Sequence, residues 1–250
     1  MDPAVLREDM VDSLEHEAKR CVRSERLALA MREVPREPFV DEERSAYADR
    51  AHERLGTRVL APSTAARLLE ALDLREGQDV LVVGVGAGYT AAVAAEIVGS
   101  ERVHAVDISR RLVYDARSNL AEAGYGGVLV DCRDGSDGLR EYAPYDRILV
   151  EAAAIEPPRR LVQQLTDDGL LVVPLGGSEQ TLSTVTREGD EPAVVERAGT
   201  VAFRPMLLDG EQAGTVERNR TRREDREFAR RAAERRKGWQ HDWIDWDGER

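Results

Sequence analysis

Val80–Tyr89 reads VLVVGVGAGY, and the reading of this stretch decides the fold. Val80 to Val83 are apolar and, Leu81 apart, β-branched, which suits a short strand buried on both faces of a parallel sheet. The run ends at Gly84, and Gly84, Gly86 and Gly88 lead into the alanine-rich segment Ala91–Ile97, which reads as a helix. A strand, a glycine-rich turn and a helix N-terminus in succession let a ligand approach bare backbone at the positive end of a helix. The stretch is therefore read as a nucleotide-cofactor site.

Its neighbours narrow the ligand. A dinucleotide fingerprint needs Gly or Ala three residues after its second glycine, and this chain has Tyr89 there. Glycines one residue apart suit a ligand without a pyrophosphate, and S-adenosylmethionine (SAM) is the candidate. The next strand, Arg102–Val106, ends in Asp107, about twenty residues past the glycines, where a carboxylate can accept from both ribose hydroxyls. A merely tight β–α turn would also use glycines; the placement of Asp107 is what favours a cofactor.

Toward the N-terminus, Leu6, Met10 and Leu14 repeat at helical spacing, and Ser24 can cap a second helix carrying Leu27, Ala30, Met31 and Val34. Pro35 stops that helix, and the two prolines of VPREPFV, Val34–Val40, predict an extended linker. Residues 41–61 read as loop-rich, and Pro62 opens a helix through Leu72.

Toward the C-terminus, a helix from about Ser109 to Ala123 stops at Gly124. Strands follow at Val128–Val130 and Tyr145–Val150, then a short helix at Pro158–Leu165 and a strand in LLVVPLGG broken by Pro174. Thr181–Thr186, Ala193–Arg197 and Thr200–Phe203 are further strand candidates. This order predicts an α/β fold, a doubly wound, mostly parallel sheet with N-terminal helices and an antiparallel C-terminal edge. Residues 1–208 form the domain, with helices and a loop over 1–61 and the sheet core over 62–208; residues 209–250 are a charged tail. From Glu217 to Lys237 the tail reads as a solvated helix or partial disorder. Trp239, Trp243 and Trp246 fall on one helical face, to dock on this protein's own surface or on a partner.

Composition bounds the function. Of 250 residues 42% are hydrophobic, enough for a core, and 34% are charged, with a formal net charge of -12. Lys19 and Lys237 are the only lysines, and acid excess with scarce lysine fits a halophilic source or an ordinary acidic protein. That balance argues against general nucleic-acid binding, which needs clustered cations. Cys21 and Cys132 match no metal spacing, no apolar run is long enough for a membrane span, and the N-terminus lacks a signal-peptide core. A cytoplasmic protein is expected. His104 reads as a packed strand residue and His52 as exposed.

Taken together, AMREVPREPFV (Ala30–Val40), Ala46-Tyr47, VLVVGVGAGY, APYDRILVEAAA (Ala143–Ala154), LVQQLTDDGLLVVPLGG (Leu161–Gly177) and FRPM (Phe203–Met206) resemble the protein-L-isoaspartate O-methyltransferase family, from about Leu14 to Leu207. The resemblance implies a Rossmann-like SAM methyltransferase fold and an enzyme that methylates the free carboxylate of isoaspartyl residues in damaged proteins. The ester then collapses to a succinimide that hydrolyses partly to aspartate. By position, Gly84, Gly86 and Gly88 would hold the amino-acid part of SAM, Asp107 the ribose, and Asp134 would face the adenine amino group. Tyr89, Ile108 and Gly135 are counted with them in the cofactor site. On its residues alone Asp134 reads equally as an Asp-Gly turn.

The family's loop G-Q-T-x-S-x-P corresponds here to Gly56-Thr57-Arg58-Val59-Leu60-Ala61-Pro62, so Arg58 and Leu60 stand where hydroxyls line the methyl-transfer site. Val82 stands where an acid usually precedes the glycine turn. Arg58 could grip a carboxylate bidentately or be a surface arginine. The readings carried forward are a carboxyl O-methyltransferase acting on a protein or peptide, a SAM methyltransferase with another acceptor, and a SAM-binding adaptor.

Overall fold

A computed structural model describes residues 2–189 and 191–207. The charged segment and the three tryptophans of the tail lie outside the described residues. The chain opens with α1 (Pro3–Glu15) and α2 (Glu25–Glu33), then a hairpin of β1 (His52–Arg54) and β2 (Thr57–Val59), then α3 (Pro62–Leu72). The alternating part follows as β3 (Val80–Val83), α4 (Tyr89–Val98), β4 (Val103–Asp107), α5 (Arg110–Glu122), β5 (Leu129–Cys132), β6 (Tyr145–Val150) and α6 (Arg159–Val162). It closes with β7 (Leu165–Gly176), β8 (Gln180–Glu188) and β9 (Glu191–Val201).

One seven-stranded sheet runs β5-β4-β3-β6-β7-β8-β9. The pairs from β5 to β7 are parallel, and β7-β8 and β8-β9 are antiparallel, as the alternation predicts. The chain winds outward from β3 through β4 to β5, then returns to lay β6 on the other side of β3. That reversal opens a crevice at the carboxyl ends of β3 and β6, where ligands bind in doubly wound sheets. All four residues of β3 are buried. Val80 and Val82 pack in one apolar cluster with α1 to α4, and Leu81 and Val83 in another with Tyr145, Leu161 and Val162. The period-two alternation of a strand buried on both faces thus divides the core into two layers.

Five local expectations are corrected. Pro174 does not break its strand: β7 is continuous, and Pro174 lies past Val172, the last β7 residue paired with β6. Its carbonyl accepts from Ala154 N (2.9 Å), so its missing N–H faces that same flank, where the ladder has ended. The two segments Ala193–Arg197 and Thr200–Phe203 are one strand through Val201. VPREPFV is not a plain linker: Glu37–Phe39 forms a 3-10 turn that buries Phe39 and Arg36 completely. Residues 41–61 contain the β1–β2 hairpin, and His52 within it is buried. Ser24 holds the N-cap position of α2, but its hydroxyl donates to Glu70 (2.9 Å) and ties α2 to α3.

Candidate functional site

The crevice is built around the turn after β3. Gly84, Gly86 and Gly88 all have left-handed φ (+82°, +55°, +101°). At Gly88, which opens α4, a Cβ would also meet Leu120 at 3.3 Å, so a side chain there is crowded as well as strained. Gly84 N and Val85 N both donate to the Val106 carbonyl (2.8 and 3.1 Å), binding the turn to β4. Asp107, the last residue of β4, accepts from Gly86 N at Oδ2 (3.1 Å) and from Ser109 N at Oδ1 (2.9 Å). Burial pushes its carboxyl above the usual range, against those backbone donors. Each oxygen keeps a lone pair for a hydroxyl donor.

A cavity of about 320 Å³ opens at this point, walled by Gly84, Asp107, Ile108, Leu112, Gly135 and Glu151. Gly135 is there because nothing larger fits: a Cβ would stand 2.4 Å from Val83 Cγ1. Asp134 stands beside the wall, where its carboxylate accepts from Ser136 N (2.8 Å) and caps a 3-10 turn. A concave site with two carboxyl groups, Asp107 and Glu151, bare glycine backbone and an apolar flank suits a nucleoside carrying an amino-acid arm, and SAM fits it.

A second, smaller cavity of about 60 Å³ adjoins, lined by Thr57, Arg58, Leu60, Tyr89, Phe203 and Arg204 among others. Thr57, Gly84, Glu151 and Arg204 wall both cavities. Tyr89 belongs to this side: its ring lies edge-on to Phe39 (centroids 5.7 Å apart) with the Arg36 guanidinium 4.4 Å above it. Arg58 lines the rim, largely exposed, its Nε 3.8 Å from Glu53. Leu60 contributes its side chain to the wall and its carbonyl to Arg36.

Three residues escape the sequence reading. Thr57 places its hydroxyl 3.8 Å from where a Cβ on Gly86 would stand, so a loop hydroxyl does face the glycine turn, one position before Arg58. Arg36 organises the loop from within: Nε donates to the Ala46 carbonyl (2.8 Å) and Nη2 to that of Leu60. Glu151 follows β6 directly; its N–H donates to the Val83 carbonyl (2.8 Å), and its carboxyl accepts from the Thr90 hydroxyl. Its remaining accessible surface opens into the cavities, while the protein packed around it pushes the carboxyl up to about 8, Asp107 adding to the rise and Thr90 opposing it. The signal for Glu151 was present: an acid placed straight after YDRILV, at a strand end beside the switch point.

His104 is confirmed as a packed strand residue, its ring stacked on Tyr142 (4.5 Å between centroids). Among the described residues no cluster of His, Cys, Asp or Glu could hold a metal, and no helix is long and apolar enough to cross a membrane.

Comparison with known proteins follows the same lines. The profile of the family described as protein-L-isoaspartate(D-aspartate) O-methyltransferase matches residues 6–212. A protein-L-isoaspartate O-methyltransferase of Methanothrix thermoacetophila is 46% identical over 191 residues, covering 74% of this chain and 89% of its own. One from a Roseiflexus species is 41% identical over 222 residues, covering 87% and 98%. Among solved structures, a protein-L-isoaspartate O-methyltransferase superimposes with a TM-score of 0.71 at 29% identity, over 80% of this chain and 65% of that one. A Plasmodium falciparum structure in complex with S-adenosyl-L-homocysteine gives 0.72 at 21% identity, over 81% and 99%, and shares the fold.

Proposed function

The chain belongs to the protein-L-isoaspartate(D-aspartate) O-methyltransferase family of SAM-dependent enzymes, and from that premise we propose which of its residues serve donor and acceptor. Asp107 takes the ribose hydroxyls, the Gly84–Gly88 turn receives the amino-acid arm, and Ile108, Leu112 and Gly135 receive the adenine, with Asp134 beside them. The acceptor is the free carboxylate of an isoaspartyl residue in a protein or peptide, entering from the smaller cavity. The observation that carries this reading is the shared wall: Thr57, Gly84, Glu151 and Arg204 line both cavities.

Bound SAM supplies the activated methyl group. An acceptor carboxylate is already ionised at neutral pH, so the chain need provide no general base. What it must provide is alignment, a proximity and orientation effect. Thr57 offers a hydroxyl at the junction. Arg58 and Arg204 offer guanidinium groups that can pair with the carboxylate, and Arg204 is already held against the hairpin by the Gly56 carbonyl and Glu53 (3.2 Å). Arg58 and Leu60 stand at the family's loop hydroxyl positions, and Thr57 and Arg204 bring a hydroxyl and a second guanidinium from neighbouring positions. Action in the cytoplasm is part of the proposal, consistent with two unpaired cysteines.

The test is transfer of radiolabelled methyl from SAM to an isoaspartyl peptide and to the same peptide with aspartate. Label entering only the isoaspartyl peptide is the expected result. A protein that binds SAM and labels neither peptide, even with Arg58→Thr and Leu60→Ser restored together, has another acceptor.

A further inference from the structure

The carboxyl of Glu151 is the one acidic group in the wall common to both cavities. β3 offers no acid of its own, its residues being Val80, Leu81, Val82 and Val83. Asp107 is committed to Gly86 N and Ser109 N, at the far side of the turn. Two guanidinium groups, of Arg58 and Arg204, line the acceptor side. A donor that carries a sulfonium, an α-ammonium and a single α-carboxylate keeps a net positive charge beside these guanidinium groups, which Glu53 only partly offsets. Such a ligand needs a counter-ion, and Glu151 is placed to be one: its Cβ and backbone lie within 3.8 Å of the position a Cβ on Gly84 would take.

We propose that Glu151 is the counter-ion of the cationic methionyl end of SAM, and that donor binding drives its proton into solvent. The O–H bond of the carboxylic acid breaks, buffer takes the proton, and the carboxylate remains, paired with the donor and still accepting from Thr90. The ionisable groups that line the two cavities with Glu151 are Asp107 from the end of β4, Tyr89 from α4, Arg58 from the hairpin and Arg204 from the segment after β9. Asp107 is the neighbour that adds to burial in holding the free carboxyl in its acid form, at about 8. A cation delivered beside it reverses that balance. Donor affinity is then linked to pH, weaker where Glu151 must give up a proton and stronger where it has already lost one.

The inference rests on the donor assignment and not on the nature of the acceptor. Titration calorimetry of the full chain with SAM, at pH 7 in buffers of different ionisation enthalpy, counts the protons released. Wild type should release close to one proton more than Glu151→Gln. Across pH 7 to 9 its affinity should rise about tenfold relative to that variant, whose profile retains only the titration of the donor's own amino group. S-adenosylhomocysteine, which keeps the ammonium and lacks the sulfonium, separates the two cations: coupling that survives with it assigns the ammonium, and coupling lost with it assigns the sulfonium. Equal proton counts in the two proteins, or parallel pH profiles, would overturn the proposal while leaving SAM binding intact. If Glu151→Gln does not fold, a wild-type count near zero at pH 7 overturns it alone. No binding of SAM by wild type would instead defeat the cofactor assignment.

Discussion

Asp107 and Glu151 are both carboxyls enclosed near a glycine turn, yet their partners, two backbone N–H groups for Asp107 and the Thr90 hydroxyl for Glu151, give them different tasks. Two N–H groups orient Asp107 and leave lone pairs toward the larger cavity. Asp107→Ala removes the acceptor of two hydroxyls, each charge-assisted bond contributing about 1.5–3 kcal/mol, so SAM affinity should fall at least about tenfold. Calorimetry reads that loss directly; an unchanged affinity would mean the ribose lies elsewhere. Glu151 predicts a pH dependence of stability in the absence of ligand. In the folded chain its carboxyl ionises at about 8, and in the unfolded chain within the ordinary carboxyl range. Between those values only the folded state holds the proton, so stability falls as pH rises, by at most about 1.4 kcal/mol per unit, and the slope ends above about 8. Urea titrations from pH 5 to 9 should show this slope in wild type and a shallower one in Glu151→Gln. At this scale Asp107 and the glycines were legible because spacing from a strand end fixes them. The position of Glu151 at the end of YDRILV was legible too, but its raised pKa, and the place of Thr57 against the glycine turn, come from neighbours distant in sequence.

The hairpin is the element that sequence pattern conveyed least. β1 and β2 have three residues each, too short for a period-two signal, and charge dominates them. Their position is imposed from outside. Arg36, from the turn after α2, holds the Ala46 and Leu60 carbonyls and stacks on Tyr89; Arg54 forms two hydrogen bonds to Asp115 of α5 (2.7 and 2.8 Å). The Arg36 guanidinium is desolvated, and burial lowers its pKa. Arg36→Leu strips both carbonyls of their donor and should cost about 2–4 kcal/mol of stability. Because the Leu60 carbonyl belongs to the wall of the acceptor side, the KM for the peptide should rise by a larger factor than the Kd for SAM. A variant affecting both equally would show that Arg36 supports the fold alone. The longer elements were easier to read: α3 runs from Pro62 to Leu72 as its proline start and leucine spacing predict, and β6 keeps its expected bounds.

Across the whole molecule the dominant quantity is charge. A net charge of -12 makes the surface repel itself, while local ion pairs oppose that, as where Arg32 of α2 meets Glu8, Asp12 and Glu15 of α1 at 2.6–2.8 Å. Exposed pairs contribute little each, so relief of the net repulsion should prevail as the screening length shrinks from about 10 Å at 0.1 M salt to about 3 Å at 1 M. Calorimetric scans in a sodium chloride series should show Tm rising with salt. A falling Tm would assign stability to the pairs and remove the compositional argument for a halophilic source.

The residues alone determined the parallel core, its antiparallel edge, the glycine turn and the acid at the end of β4. Each of these is encoded by periodicity or by a short fixed spacing, which local sterics enforce whatever lies around them. Tertiary structure decided what faces the reacting groups. The strand order puts Glu151 beside Gly84, some sixty-seven positions apart in sequence, and folds Thr57 and Arg204 over the same turn. Their protonation, access and pairing follow from burial and from charges brought together by the sheet, and no local pattern records those.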